Sequence, residues 1–292
     1  MPLSIGIDCS TAHWRTCLME HGQILYVCSF VNFTAALLYL QSVCALYPEP
    51  TIVIPLGRGT SLARLSNLTD QQLQAITTSL NKQQPQADLK QILIAIKALS
   101  LDSYCLPALR HLQGVSLHRK LNPTDLGTPD SLCIISTLMY RLSERQTAWS
   151  EMNFLCVTVG YNSKSIVVVE NGRIVNGISQ DQEADPGHAE AVAVSFVDDT
   201  EVRRATEEAY WEGLTRDLAG LMAIHHLEDI IVIGQRKDAF IERFAETYQV
   251  YFFPLGEPGT DGYEIAIGAA IIAEGLRHPG LAAEVVQRLQ IH

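Results

Sequence analysis

Apolar residues fall in short blocks along the chain, and the first block ends in chemistry. The apolar run Ser4-Ile5-Gly6-Ile7 leads into Asp8, Cys9, Ser10 and Thr11; a second apolar stretch follows, Gly22-Gln23 makes a turn, and another apolar run begins. Apolar runs bounded by such turn signals predict a β-hairpin. The pattern returns about 150 residues later: a strand from Asn153 to Val159, a polar turn with Gly160 and Asn162, a strand from Ser165 to Val169, and a turn at Glu170-Asn171-Gly172. Two copies of strand, polar turn, strand, glycine predict a duplicated architecture.

Between the copies, Phe33 to Tyr47 has helical spacing and stops at Pro48 and Pro50, and Thr51 to Pro55 reads as a buried strand, giving the order β-β-α-β. The Gly-rich loop from Leu56 to Ser61 sits at that strand's end but lacks the Gly-Lys-Ser/Thr of a P-loop, so it reads as a tight turn. Helices are expected over Thr69 to Leu80 and Asp88 to Leu99, and a short strand over Ser103 to Pro107. A polar cluster then runs from His118 to Asp130. It leads into a helix capped by Thr128, with Pro129 at its first position and Leu132, Ile135, Leu138, Met139 and Leu142 on one face.

After the second hairpin come an irregular polar loop from Ser179 to His188 and a helix over Thr206 to Ile224. A buried strand from Asp229 ends in Gly234; a helix over Ala239 to Thr247, a strand over Val250 to Phe253 and a helix over Tyr263 to Arg277 follow. The expected fold is α/β, with two similar lobes at 1–150 and 151–292.

Composition narrows the function. The chain has 292 residues, 47% apolar and 18% charged, and no apolar run reaches the roughly 18 to 20 residues of a bilayer span, so no membrane partner is expected. The start at Met1 lacks a signal segment, and the seven cysteines stand singly in apolar stretches, which predicts reduced thiols and a cytoplasmic protein. A net charge of −11 without basic clusters argues against nucleic acid, leaving a small, locally bound partner and a homodimer open.

The chemistry concentrates in two places. In the first turn, backbone N–H groups with Ser10 and Thr11 can meet phosphate oxygens, while Asp8 lies where phosphate-bound Mg²⁺ needs a ligand. Gly160 and Asn162 form a second such turn, and a phosphate chain fits between the two. In the polar cluster, Arg119, Lys120, Asn122, Asp125 and Asp130 read either as a substrate or phosphate site or as a solvated loop with a helix cap. Arg119 is the choice to grip an acceptor carboxylate. His118 and His188 lack partners at metal-ligand spacing, and His225-His226 reads as a helix end.

Taken together, these parts resemble the acetate and sugar kinase, actin and heat-shock ATPase superfamily over nearly the whole chain. Three segments, His118 to Asp130, Val169 to Gly177 and Ala266 to Gly275, resemble more narrowly a prokaryotic family labelled predicted butyrate kinase. The resemblance implies a two-lobed actin-like fold and an ATP- and Mg²⁺-dependent kinase acting on a small acceptor, plausibly a short-chain carboxylic acid. By the same resemblance, Asp8 serves the metal, Ser10, Thr11 and Gly160 the phosphates, Gly234 the adenosine and Asp130 the acceptor. The chain departs from the superfamily pattern at Ser10, Thr158, Gln235 and Ser131, which keeps a catalytically silent nucleotide-binding scaffold as the alternative. The opening Gly6 to Thr11 also resembles the non-catalytic partner of the tRNA threonylcarbamoyl-transfer glycoprotease-like family.

Overall fold

The structure, a computed structural model, describes residues 3–9, 13–47, 49–56, 61–78, 86–99, 101–122, 124–161, 163–181, 199–254 and 256–291. Among the predicted site residues, Ser10, Thr11 and Asn162 lie outside them, as does most of the Gly-rich loop after the fourth strand.

Strands β1 (Ser4–Asp8), β2 (Trp14–Glu20) and β3 (Gln23–Phe30) form an antiparallel meander. Helix α1 (Phe33–Leu46) leads to β4 (Thr51–Ile54), which pairs parallel with β1. After the two-residue β5 (Ala63–Arg64), helices α2 (Asp70–Thr78) and α3 (Gln86–Ala98) precede β6 (Asp102–Cys105), parallel to β4. The short α4 (Leu117–Lys120) and the long α5 (Pro129–Glu144) lead to a second meander, β7 (Phe154–Val159), β8 (Ser163–Glu170) and β9 (Arg173–Asp181). Then come α6 (Asp199–His225), β10 (Asp229–Ile233), α7 (Lys237–Phe244), β11 (Gln249–Phe252), α8 (Glu264–Gly275) and α9 (Leu281–Leu289).

The two sheets share one plan. The first has the order β3-β2-β1-β4-β6-β5 and the second, read from its far edge, β9-β8-β7-β10-β11. Each is a three-stranded antiparallel meander continued by two parallel strands, with the short β5 added antiparallel at the edge of the first, so the duplication visible in the sequence is one of topology.

This corrects the expected order β-β-α-β, because a third strand completes each hairpin before the chain moves on. β9 runs through Ser179 to Asp181, where a loop was expected to begin. Its polar residues hid it: β9 is an edge strand, and the N–H of Ser179 donates to the carbonyl of Asp125 at 2.7 Å, outside the regular ladder.

Three apolar clusters fill the molecule. One lies between the first sheet and α1 to α3, another between the second sheet and α6 with α7. The largest joins the halves, since it holds Cys17 and Val53 of the first sheet together with Cys156 and Val167 of the second, around α5 and α8. Helix α8 packs on β1, β2 and β4 and against α5.

These contacts are close because small residues allow it. A Cβ on Gly6 would lie 1.9 Å from the carbonyl oxygen of Ala266, and one on Gly268 would lie 1.9 Å from that of Cys133. The hydroxyl of Thr137 donates to the carbonyl of Glu264 at 2.7 Å. With 133 facing 268 and 137 facing 264, the two helices run antiparallel across the junction of the sheets. All seven cysteines are free thiols, and burial pushes those of Cys17, Cys105 and Cys156 up to about 12, which makes them inert. Among the described residues, no helix is long and apolar enough to cross a membrane.

Candidate functional site

Asp8 closes β1 and is fully buried, in register with Arg15 on the neighbouring strand. Nη1 of Arg15 lies 3.7 Å from Oδ2 of Asp8, and its guanidinium carbon is 5.8 Å from the centre of the Tyr263 ring. Asp130 sits in the first turn of α5, where the helix dipole favours an acid, and is half-buried.

The two carboxylates act on the same neighbours. Burial raises the Cys9 thiol well above its ordinary range, and Asp130 and then Asp8 raise it further; the Cys133 thiol is raised by the same three causes in the same order. One thiol follows Asp8 in the chain and the other is a turn beyond Asp130. The structure therefore brings Asp8 and Asp130 into one electrostatic neighbourhood at the junction of β1 and α5.

The polar cluster before α5 divides into two parts. Its first part is engaged with backbone: Nη1 of Arg119 donates to the carbonyl of Val175 at 2.7 Å, and Oδ1 of Asn122 accepts from the N–H and hydroxyl of Thr124 at 3.2 and 3.1 Å. Nη2 of Arg110 donates to the carbonyls of Asn122 and Thr124 at 3.1 and 2.9 Å. Lys120 is half-buried, and its charge joins burial in lowering the pKa of His111. These contacts brace α4 against β9.

The second part leads to the carboxylates. Oδ1 of Asp125 accepts from the N–H of Gly127 at 3.1 Å, while the Asp125 carbonyl receives the N–H of Ser179. Gly177 has no side chain where the Leu126 carbonyl approaches, since a Cβ there would lie 2.1 Å from that oxygen. The segment from Asp125 to Asp130 thus connects the edge of the second sheet to the end of β1. Ser179 pairs with Ser165 and Ser165 with Thr158, so this anchor is two strand spacings, about 10 Å, from Thr158 near the Gly160 turn.

Across that turn, the N–H of Gly160 donates to the carbonyl of Ser163 at 2.9 Å, and the hydroxyl of Tyr210 donates to the carbonyls of Gly160 and Ser163 at 3.2 and 3.4 Å. Gly234 adjoins it. With φ of 115° and a would-be Cβ only 2.3 Å from the Val159 carbonyl, this position requires glycine. Two residues on, the guanidinium of Arg236 stacks 4.7 Å from the centre of the Tyr210 ring and 4.6 Å from that of Trp211, and pairs with Glu207. Lys164 is buried, with Nζ 3.6 Å from Asp217, and burial lowers its pKa against the pull of that acid.

Two residues of this neighbourhood escaped the sequence reading, Arg15 and Arg236. Arg15 carries a signal only once the β1–β2 register is known. Arg236 carries none.

In structure, the chain aligns with an acetate kinase from Entamoeba histolytica at a TM-score of 0.58 and 7% identity, over 94% of this chain and 99% of that one. A propionate kinase from Francisella tularensis subsp. tularensis aligns at 0.54 and 10% identity, over 92% and 98%. At these identities the likeness is one of fold, and the fold is the two-lobed actin-like one expected from the sequence. A family model described as "Protein of unknown function (DUF1464)" matches residues 6–198. No curated protein matches the chain by sequence.

Proposed function

The chain belongs to that DUF1464 family, and we propose that it is an ATP-dependent phosphotransferase whose acceptor is a small molecule, a short-chain carboxylic acid, bound between lobes formed by residues 1–150 and 151–292. The observation that carries this reading is the shared neighbourhood of Asp8 and Asp130 at the junction of the sheets, with the Gly160 and Gly234 pair at the matching strand ends of the second sheet.

The donors suit Mg²⁺ that arrives with a nucleotide. Among the described residues no group of three or more His, Cys, Asp or Glu gathers as a resident metal cage, and Mg²⁺ on a nucleotide needs only one or two carboxylates besides phosphate and water. Asp8 would hold the ion, which when bound neutralises charge on the phosphates. Arg15, paired with Asp8, would meet the oxygens of the moving phosphoryl group, and Asp130 would orient the acceptor at the head of α5. Ser10, Thr11, Gly160 and Asn162 would line the phosphate chain and Gly234 would back the adenosine. In this reading Lys120, Asn122 and Asp125 flank the acceptor, and Arg119 reaches its carboxylate with the guanidinium N–H groups left beside its bond to Val175. Closure of the lobes would keep water from the phosphoryl group.

A second reading has its own support: the Arg236 guanidinium, two residues beyond Gly234, is already held by two rings and Glu207 and so is not free for a nucleotide. In that reading the protein is a silent scaffold. Thermal shift with Mg-ATP and ATP turnover over a panel of short acids separate the two. Asp8→Asn and Asp130→Asn should each lower turnover by about 10²-fold or more. Turnover that neither substitution changes would remove the assigned site, and Mg-ATP binding without turnover would favour the scaffold.

A further inference from the structure

At the other end of α5 a cavity of about 310 Å³ opens between the first sheet, α5, α8 and the loop after β11. Arg141, on its wall, lies eleven residues beyond Asp130, about 16 Å along the helix axis. The floor is apolar, made by Met19 of β2 and by Ile267 and Ile271 of α8, whereas Glu144 and Glu257 stand exposed at the rim. One side is the β2–β3 turn of the first sheet; the other is the loop at Gly256 and Glu257, beyond the last strand of the second.

The wall holds a cation with an unspent donor. Arg141 is only 7% exposed; its Nη1 donates to the carbonyl of Pro254 at 2.7 Å and its guanidinium carbon lies 5.5 Å from the centre of the Phe253 ring. Its Nη2 is buried and has no hydrogen-bond partner among the described residues. Glycine at 256 lets the loop backbone lie against that nitrogen, because a Cβ there would lie 2.3 Å from Nη2. Burial lowers the pKa of Arg141, with Glu264, Asp261 and Glu144 acting in the opposite direction. A buried donor left unmade is costly, and a carboxylate is the acceptor that satisfies a guanidinium best.

We propose that this cavity is a second binding site, separate from Asp8 and Asp130, for a small monocarboxylate with a short apolar body. The carboxylate meets the guanidinium of Arg141, gaining Nη2 as the loop at Gly256 shifts aside, and the body lies on Met19, Ile267 and Ile271. The acids at the rim select within the anions: Glu144 and Glu257 repel a dianion such as phosphate more than a single carboxylate. Arg141 turns away an amine of the same shape. The cavity's size falls at the lower end of small-ligand pockets, which suits a molecule of this kind.

The test is calorimetric titration of the full chain, free of nucleotide, with isovalerate, inorganic phosphate and isoamylamine; because the proposed acceptor is itself a short acid, Arg141→Met and Asp130→Asn assign the bound isovalerate to one site or the other. Isovalerate should bind and the other two should not. Arg141→Met should weaken isovalerate about tenfold or more, and Glu257→Gln, at an exposed position that keeps the fold intact, should tighten it about threefold. Asp130→Asn should leave this binding unchanged. The proposal is overturned by no isovalerate binding at millimolar concentration, by equal binding of phosphate or amine, or by an affinity that Glu257→Gln does not raise. Loss of binding in Asp130→Asn but not in Arg141→Met would assign the ligand to the acceptor site and overturn it as well.

Discussion

Replacing Gly268 by alanine tests the junction on which both proposed sites depend. The added Cβ would sit 1.9 Å from the carbonyl oxygen of Cys133, 2.5 Å from its carbon and 2.8 Å from its Cα. All three are backbone atoms of α5, so no side chain can swing away, and α8 must withdraw by roughly 1 Å to restore van der Waals contact. That withdrawal also loosens α8 from β1, where Gly6 is equally close to Ala266. Overpacking of this kind costs about 3 kcal/mol, the upper end of its usual range, while alanine returns about 1 kcal/mol of helix propensity.

The net loss is about 2 kcal/mol, which lowers Tm by about 3 °C in a chain of 292 residues. Gly220 is the internal control. It lies within α6 with nothing inside 4 Å of its would-be Cβ, so Gly220→Ala should stabilise by about 0.5–1 kcal/mol. Thermal unfolding followed by circular dichroism on the two variants therefore gives shifts of opposite sign. If Gly268→Ala unfolds at or above the temperature of the parent chain, the close α5–α8 contact is wrong, and with it the geometry that joins the two sheets.

Two further expectations concern buried charge. Glu274 is 8% exposed with its Oε2 unpartnered among the described residues, and burial raises its pKa above 4.5 although the N–H of Gly22, His278 and His21 oppose this. The folded state therefore binds a proton more tightly than the unfolded one, so stability present below pH 4.5 is lost as pH rises through the folded value; Glu274→Gln should raise Tm at pH 8 and leave it nearly unchanged at pH 4, and an equal shift at both would contradict this. Arg236→Ala removes a cation from two aromatic faces and an ion pair from Glu207, a loss of about 1–2 kcal/mol with tryptophan emission moved to longer wavelength as Trp211 meets water; unchanged emission would show that the guanidinium does not cover that ring.

Period and punctuation made much of the fold legible. Helix α1 appeared between its apolar spacing and Pro48, α5 between Thr128 with Pro129 and the buried face of Leu132, Ile135, Leu138 and Met139, and β10 as a run ending in Gly234. β9 was lost because a strand at a sheet edge can be polar, and α9 because it is short and follows Pro279 and Gly280, the latter with φ of 135°. The site was legible in part for a different reason. Asp8 and Asp130 each stand at a boundary that a sequence displays, but residue type does not reveal what a side chain is bonded to. Arg119 and Asn122 also bond to the backbone of β9 and of the segment before α5, which their residue types do not show, whereas Arg15 acquires its meaning only from the register of β2 on β1.

The antiparallel contact of α5 with α8 at Cys133 and Thr137 lies between Asp130 and Arg141, the two ends of interest on one rigid rod. If the sheets rock about that contact, the neighbourhood of Asp8 and the opening lined by Met19 and Glu257 lie on opposite sides of the pivot, and a guest lodged in the latter would hold the former ajar.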